Sequence, residues 1–240
     1  MSIKGLSVDA DVETPNADTL GGGFVKPTGL YGCIVDLAYL SKAASGAMAL
    51  NLHLKVASDK SIIRQTLYVT TGDSKGNRNY YTTAEGKKKL LAGMALGDLI
   101  STITTGKSLS DLTAEEKTVN LYDFTAQAEK PTKVDALTEM VGKPILIGLH
   151  KVRTNKVTKD GKGGYNTLAD EKFINEIDKV FHPDGASVTE KKAKSPALFH
   201  KSWQDKYDAD FVREDYKAVA GTKIDSLTEA EAPVSSDLFS

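Results

Sequence analysis

The chain of 240 residues has a net charge of −1, with 40% hydrophobic and 26% charged residues. These values are ordinary for a globular protein, and no apolar run reaches the roughly 18 residues of a membrane-spanning helix. The N-terminal sequence lacks the apolar core of a signal peptide, and the single cysteine, Cys33, excludes an internal disulfide. We therefore expect a cytoplasmic protein with Cys33 buried in its core.

The chain begins with a polar, glycine-rich segment, and we expect a flexible leader over 1–28. Hydrophobic residues then alternate with polar ones in three segments, 30–40, 47–56 and 62–70, which is the pattern of half-buried strands. Short polar turns separate the three segments. The sequence therefore predicts an antiparallel meander that opens a small barrel or sheet.

The rest of the body mixes helices with strands. Apolar residues at helical spacing predict a helix over 87–103. The later predicted elements are a strand over 118–124, a helix over 134–141, a strand over 145–152, a basic loop over 153–164 and a strand over 168–181. This order predicts an α+β fold that is mainly β, an OB-like antiparallel barrel of five to six strands with an inserted helix. We place this body at 29–205 and a mobile acidic tail at 206–240.

Signatures of catalytic and metal sites are missing from the sequence. The four histidines are dispersed, and the chain has neither a phosphate-binding P-loop nor a nucleophile elbow. Carboxylate pairs such as Glu115 and Glu116 lie in polar sequence that is typical of solvated surface. We expect a protein without enzymatic activity, cofactor or metal ion.

Charge is distributed unevenly along the chain. Residues 1–20 contain four acidic residues and one basic residue, and residues 205–240 contain nine acidic and four basic residues. Residues 21–204, in contrast, contain 26 basic and 19 acidic residues. A basic body attracts phosphates, and an acidic tail can occupy the same surface or bind a partner. The distribution therefore favours a regulated nucleic-acid-binding protein.

Two segments of the body combine cations with aromatic rings. Single-stranded nucleic acid needs both, because cations follow the backbone and bases stack on rings. The first segment contains Tyr68, Lys75, Arg78, Tyr80, Tyr81, Lys87, Lys88 and Lys89. The second contains Lys151, Arg153, Lys156, Lys159, Lys162 and Tyr165. We predict that the two segments form opposite walls of one groove, because loops flank the binding face of an OB barrel.

Each of these features also has a structural interpretation. The strand residues Tyr31, Tyr39 and Tyr68 fit core positions better than stacking positions. Tyr80 and Tyr81 instead lie in polar surroundings that suit contact of at least one of them with a base. The lysines at 87–89 fit the solvated start of a helix, although the helix dipole disfavours cations there. For the whole protein, the alternative is a non-enzymatic virion or assembly protein with a β-rich interaction domain.

Several short runs of the body form a recognisable set. They are the run from Gly29 to Tyr39, the turn Ser45-Gly46-Ala47, the spaced residues Val134, Leu137, Val141, Gly142 and Lys143, and the runs 105–109, 119–124 and 179–182. In these runs the chain resembles phage-encoded single-stranded DNA-binding proteins of lytic tailed phages, over most of 29–205. The resemblance implies an OB-like core that coats and protects single-stranded DNA during phage DNA replication, recombination or repair, in the cytoplasm of the host cell.

The resemblance also implies a C-terminal tail that recruits replication or transcription proteins, such as a polymerase. Tails of this family have a dense acidic run that ends in an aromatic residue. Here the chain ends with Asp237, Leu238, Phe239 and Ser240, and the acidic residues before them are sparse. We expect the tail either to compete with DNA for the basic surface or to bind a partner.

Overall fold

The computed structural model describes residues 25–123, 126–159 and 164–219, so the predicted leader up to residue 24 and the tail from residue 220 lie outside the described residues. The strands are β1 (Gly29–Lys42), β2 (Met48–Val56), β3 (Ile62–Tyr68), β4 (Tyr80–Thr82), β5 (Lys88–Leu90), β6 (Glu115–Asp123), β7 (Ala128–Ala136), β8 (Pro144–Lys159), β9 (Tyr165–Phe181) and β10 (Val212–Glu214). The helices are α1 (Ala92–Thr105), α2 (Val188–Ala193) and α3 (Phe199–Lys206). The described part is mainly β, as expected, and none of its helices is long and apolar enough to cross a membrane.

The predicted meander is confirmed as β1, β2 and β3. Strand β2 pairs antiparallel with β1 on one side and with β3 on the other. Leu50, Leu52 and Leu54 are completely buried, whereas Asn51 and His53 between them lie on the opposite face. This arrangement follows from the two-residue period of a strand. It gives the meander an apolar inner face and a polar outer face.

A long hairpin of β8 and β9 completes the core. Strand β8 pairs antiparallel with β1 and with β9, and it buries Ile145, Ile147 and Leu149. Strand β9 then approaches β3, where the backbone N–H of Ile177 donates a hydrogen bond to Oε1 of Gln65 at 3.3 Å. In the described residues β3 and β9 share no ladder of backbone hydrogen bonds. The sheet is therefore open at this β3–β9 seam, rather than closed as a barrel.

Two helix predictions need correction. Helix α1 begins at Ala92 rather than at residue 87, because residues 88–90 form β5, which pairs with β4 in a hairpin. Segment 134–141 is the end of β7 followed by one 3-10 turn, not a helix. In β7, Val134 and Ala136 are buried and β6 pairs along the whole strand. Tertiary pairing therefore outweighs the helical spacing of these few residues.

Helix α1 contains two glycines, which are poor helix formers, because it packs closely on the sheet. A Cβ atom at Gly93 would lie 2.3 Å from the backbone oxygen of Tyr68, and one at Gly97 would lie 3.1 Å from a methyl of Leu109. A larger residue at Gly93 would force the helix away from β3. The close approach thus accounts for a residue that helix propensity alone disfavours.

Residues 199–217, which we call the strap, pack along β8 and β9. The side chain of Trp203 is buried against Gly148, and its Nε1 donates a hydrogen bond to Asp178 at 2.7 Å. Strand β10 pairs in parallel with β8 just beyond the point where the β1–β8 pairing ends. The packed body therefore extends past residue 205, the boundary that we expected from the sequence.

The strap encloses one histidine of β8. His150 is almost fully buried, stacks on Trp203 and contacts the rings of Tyr207 and Phe211. Neither of its ring nitrogens has a hydrogen-bond partner among the described residues. Burial lowers the pKa of His150 and outweighs the opposing effect of the Asp178 carboxylate, and the cation of Arg213 lowers the pKa further. The fold therefore holds this imidazole in its neutral form.

We predict that His150 makes the stability of the protein pH-dependent. Its pKa lies near 6.5 in the unfolded chain and below that in the fold, so below pH 6.5 protons bind preferentially to the unfolded chain. The free energy of unfolding should fall as the pH drops below 6.5. The substitution His150→Phe should reduce this fall, and it should change stability at neutral pH by less than about 1.5 kcal/mol. Urea denaturation followed by the fluorescence of Trp203 measures both quantities, and an unchanged pH dependence in the variant would contradict this role.

Candidate nucleic-acid interface

A β-bulge in β1 decides which side chains reach the outer face of the meander. The pairing register of β1 with β2 shifts between Val35 and Leu37. An extra residue at a bulge reverses the alternation of side chains along the strand. As a result Val35 is buried before the bulge and Ala38 after it, which turns Tyr39 to the outer face.

The outer face carries polar and aromatic side chains in rows that cross the strands. Asn51 lies opposite Tyr39 on one side and Thr66 on the other, and His53 lies opposite Arg64. The hydroxyl of Thr66 donates a hydrogen bond to Oδ1 of Asn51 at 3.0 Å. The row of Asn51 is thus held by hydrogen bonds within the protein, while the row of His53 carries a cation.

The hairpin of β6 and β7, which we call the arm, lies over this face. Strand β7 pairs with β1 at two positions, Tyr39 with Ala136 and Leu40 with Asp135. The two strands of the arm pair with each other along nine positions. Because its β1 pairing is confined to its base, openings remain between the arm and the meander.

The larger of these openings, which we call the outer-face cleft, has a volume of about 460 Å³. Its lining includes Tyr39, Asn51, His53, Arg64 and Thr66 from the meander and Leu121, Tyr122 and Glu129 from the arm. The Tyr39 and His53 rings meet edge to face at 6.2 Å, and Tyr122 is 49% exposed. On the other side of the arm, a cleft of about 420 Å³ shares Tyr39 and Leu121. The arm and the meander thus bring aromatic side chains from three strands to one opening.

Arg64 sets the electrostatics of the outer-face cleft. Burial lowers the pKa of His53, and the guanidinium of Arg64 lowers it further. Burial also raises the pKa of the Tyr39 hydroxyl. Both rings are therefore neutral at neutral pH, while arginine keeps its charge. Neutral rings beside a permanent cation match a base and its phosphate.

Arg64 also connects this cleft to the β3–β9 seam. There it lines a third opening, of about 380 Å³, together with Phe173 of β9. The ammonium group of Lys151 lies 4.8 Å from the centre of the Phe173 ring. A path of cations and rings therefore runs from the outer-face cleft across Arg64 to the β8–β9 hairpin.

The first predicted segment begins on the outer face. Tyr68, at the end of β3, is 56% exposed, so the core interpretation is wrong for this residue. Tyr39 is half-buried on the outer face, whereas Tyr31 packs partly against the core. Of the three strand tyrosines, one is therefore a partial core residue and two face outward.

The remaining residues of the first segment lie on the β4–β5 hairpin and the turn before it. The Tyr80 ring has Lys88 Nζ at 4.9 Å from its centre and the guanidinium carbon of Arg78 at 5.9 Å. On the other face of the hairpin, the exposed Tyr81 lies opposite Lys89. Lys75 is exposed in the preceding turn, and Lys87 forms an ion pair with Glu85 at 3.3 Å. The hairpin is thus a cationic, aromatic extension at the end of β3.

The second predicted segment is mainly strand rather than loop. Strand β8 continues to Lys159, which pairs with Tyr165 at the start of β9, so the predicted loop over 153–164 is much shorter. The strands extend because Thr158 and its neighbours find partners in β9. Tyr165 is 66% exposed and Lys156 is exposed. Lys162 lies outside the described residues, as do the tail residues Asp237, Leu238 and Phe239.

Arg153 differs from the other cations of the second segment because acidic side chains already surround it. It forms ion pairs with Glu171 of β9 and Glu214 of β10, and its guanidinium lies 4.9 Å from the centre of the Tyr216 ring. These contacts raise the pKa of Arg153, chiefly through the hydrogen bond to Glu171. Glu171 of β9 and Glu214 of the strap therefore balance the charge of Arg153, whereas Lys151 lies beside Phe173.

Sequence analysis missed the residues that line the outer-face cleft. His53 and Arg64 could have been found, because strict alternation along β2 and β3 places both on the polar face. Tyr39 could not, because the bulge that turns it outward has no sequence signature in β1. Nor could Tyr122, since its position over the meander depends on how the arm joins β1.

Metal chemistry and thiol chemistry each need particular side-chain groups. No three His, Cys, Asp or Glu residues in the described ranges are placed to hold a metal ion. Cys33 is buried, and burial raises the pKa of its thiol to about 12, which makes it a poor nucleophile. The polar and aromatic groups that line the cleft are rings, amides, the hydroxyl of Thr66, the guanidinium of Arg64 and the carboxylate of Glu129.

Comparison with known proteins adds no assignment. No family model, no curated protein and no solved structure matches the chain. The case for this interface therefore depends on its residues and their geometry.

We predict that replacing Arg64 raises the pKa of His53. After burial, the cation is the second cause that lowers this pKa, while Asp36 raises it, so Arg64→Gln should move the pKa of His53 upward. The matched variant Arg78→Gln removes a cation from the β4–β5 hairpin and should leave His53 unchanged. NMR titration of the His53 ring measures the pKa in each variant, and an unchanged value in Arg64→Gln would contradict the geometry of the cleft.

Proposed function

We propose that the protein binds single-stranded DNA along the outer face of β2 and β3. The observation that carries the proposal is the outer-face cleft, in which Tyr39 and His53 lie beside Arg64 and beneath Tyr122. Binding without sequence preference needs rings for the bases and cations for the phosphates. The cleft supplies both within one opening, and the basic balance of the body draws a polyanion to it.

We also propose that the five core strands form a partly open, OB-like barrel. Their spatial order is β1, β2, β3, β9, β8 and back to β1, with backbone pairing at every step except the β3–β9 seam. Helix α1 lies between β3 and β8 in the chain, as an inserted helix should. OB folds bind oligonucleotides on the face of their second and third strands. That is the face on which the cleft lies here.

The two predicted basic segments extend this surface in the proposal. The β4–β5 hairpin continues it from Tyr68 with Tyr80 and Lys88, and the β8–β9 hairpin continues it from Arg64 with Lys151. Arg153 contributes least, because Glu171 and Glu214 already balance its charge. A strand bound along this path would be coated and protected.

The biological setting follows from the resemblance described above. The protein would coat single-stranded DNA during phage DNA replication, recombination or repair, in the cytoplasm of the host cell. Recruitment of a polymerase or another replication protein through the C-terminal tail stays a prediction from the sequence. The proposal assigns no enzymatic activity and no cofactor.

We predict that cleft variants weaken binding to oligo-dT while a matched surface variant does not. Tyr39→Leu removes one stacking partner, worth about 1–3 kcal/mol, so the Kd should rise roughly 5- to 150-fold. Arg64→Gln should weaken binding. It should also make the slope of log K against log salt concentration shallower by about one unit, because one phosphate contact is lost. Fluorescence anisotropy of a labelled oligonucleotide, measured at low and high salt, gives both values.

Lys192→Gln is the control, because it removes one positive charge from α2, outside the lining of the cleft. Equal losses in Arg64→Gln and Lys192→Gln would mean that binding depends on net charge and not on the cleft. Parallel titrations with duplex DNA and single-stranded RNA test the choice of nucleic acid. Absence of binding to all three would contradict the proposal and favour the virion or assembly protein.

A further inference from the structure

An apolar groove, which we call the α1 groove, shares no lining residue with the outer-face cleft. Its volume is about 610 Å³, and its apolar lining includes Leu96 and Leu99 of α1, Val180 of β9, Val188 of α2 and Phe199 of α3. Leu99 and Phe199 are 40% and 43% exposed. The exposed side chains of Leu99 and Phe199 thus border an apolar groove that four elements build, which is typical of a docking surface.

The surroundings of the α1 groove are basic. Exposed lysines lie in and after α2 and on α3, at Lys192, Lys194 and Lys201, and Lys191 of α2 forms an ion pair with Asp184. The two acidic groups in the lining are already engaged. Oε1 of Glu190 accepts hydrogen bonds from the backbone N–H groups of Leu198 and Phe199 at 2.9 and 2.8 Å, and Asp178 accepts one from Trp203 and pairs with Lys179. The groove therefore fits an apolar segment with acidic residues beside it.

We propose that the α1 groove binds the C-terminal end of the same chain, with Leu238 and Phe239 in the groove. Residues 225–240 contain acidic residues but no lysine or arginine, and Leu238 and Phe239 are adjacent apolar residues near their end. The acidic residues complement the lysines around the groove, and the apolar pair matches its lining. Because the tail has few charges, an apolar groove suits it better than a phosphate-binding surface.

The described chain ends within reach of the groove. The hydroxyl of Tyr216 donates a hydrogen bond to the carbonyl of Ala169 at 2.9 Å, so the strap ends beside the β8–β9 hairpin. From Ala169 to Lys179 of the groove lining, β9 spans about 33 Å. Residues 220–237 can span up to roughly 60 Å when extended. The connection therefore suffices, and it raises the effective concentration of the tail to the millimolar range.

This inference does not depend on DNA binding. It differs from the expectation that the tail competes with DNA, because a tail in the α1 groove leaves the outer-face cleft open. The tail would instead cover the exposed apolar side chains of α1 and α3. A partner with a stronger apolar segment would displace the tail from the groove, and the displaced tail would then be available to bind that partner.

Disulfide trapping in the full chain tests the proposal. One variant combines Ser240→Cys with Leu99→Cys in the groove, and a second combines Ser240→Cys with Thr189→Cys, also in the lining. Comparison variants combine Ser240→Cys with Thr66→Cys in the outer-face cleft or with Ala84→Cys on the exposed β4–β5 turn. The native Cys33 does not compete, because its buried thiol has a pKa raised to about 12.

In a buffer of oxidised and reduced glutathione, we expect intramolecular disulfides at position 99 or 189 to form at least about tenfold faster than at position 84. The added double substitution Leu238→Ala and Phe239→Ala should remove this advantage. The rates should be independent of protein concentration. Three results would overturn the proposal. A faster reaction at position 66 would place the tail in the outer-face cleft, and equal rates at all positions would mean that the tail does not dock. A rate that rises with protein concentration would mean that the tail docks on another copy of the chain.

Discussion

The bulge in β1 is the constraint on which the outer face depends. One extra residue between Val35 and Leu37 lets the first part of β1 bury Val35 and the second part bury Ala38. Without it, the alternation of the first part would direct Tyr39 into the core and leave Ala38 outside. The same stretch of β1 pairs with the base of the arm, so the bulge also fixes where the arm meets the sheet. The aromatic cleft is thus a consequence of a single irregularity in one strand.

The arginines around the core differ in whether acidic side chains already balance their charge. On the strap side, Arg153 and Arg213 form ion pairs with glutamates and an aspartate, which hold β10 and the end of the strap against β8 and β9. On the outer face, Arg64 instead lies beside the neutral rings of Tyr39 and His53 and lowers the pKa of His53. A cation among rings can exchange its water for a phosphate, whereas a cation among carboxylates would first have to leave them. This difference is why we propose the outer face, and not the strap side, as the surface that binds nucleic acid.

Much of the fold could be predicted because its signals are local. Strict alternation identified β1, β2 and β3, and the burial of Cys33 followed from its apolar surroundings. The helix prediction at 134–141 failed because β7 is stabilised by pairing with β6, which is a tertiary effect. The first basic segment was found by composition, but its lysines lie on a hairpin rather than at a helix start. The cleft itself was missed, since Tyr39 depends on the bulge and Tyr122 on the position of the arm.

The central claim is that single-stranded DNA lies against the rings of the outer-face cleft. Photo-crosslinking tests it most directly: the full chain is irradiated with a single strand that contains 5-bromodeoxyuridine, and the modified peptides are identified by mass spectrometry. The account predicts cross-links at Tyr39, His53 or Tyr122, which are lost when excess unlabelled oligo-dT is added. Cross-links confined to α1, α2 and the strap would contradict it, because those elements lie outside the lining of the cleft.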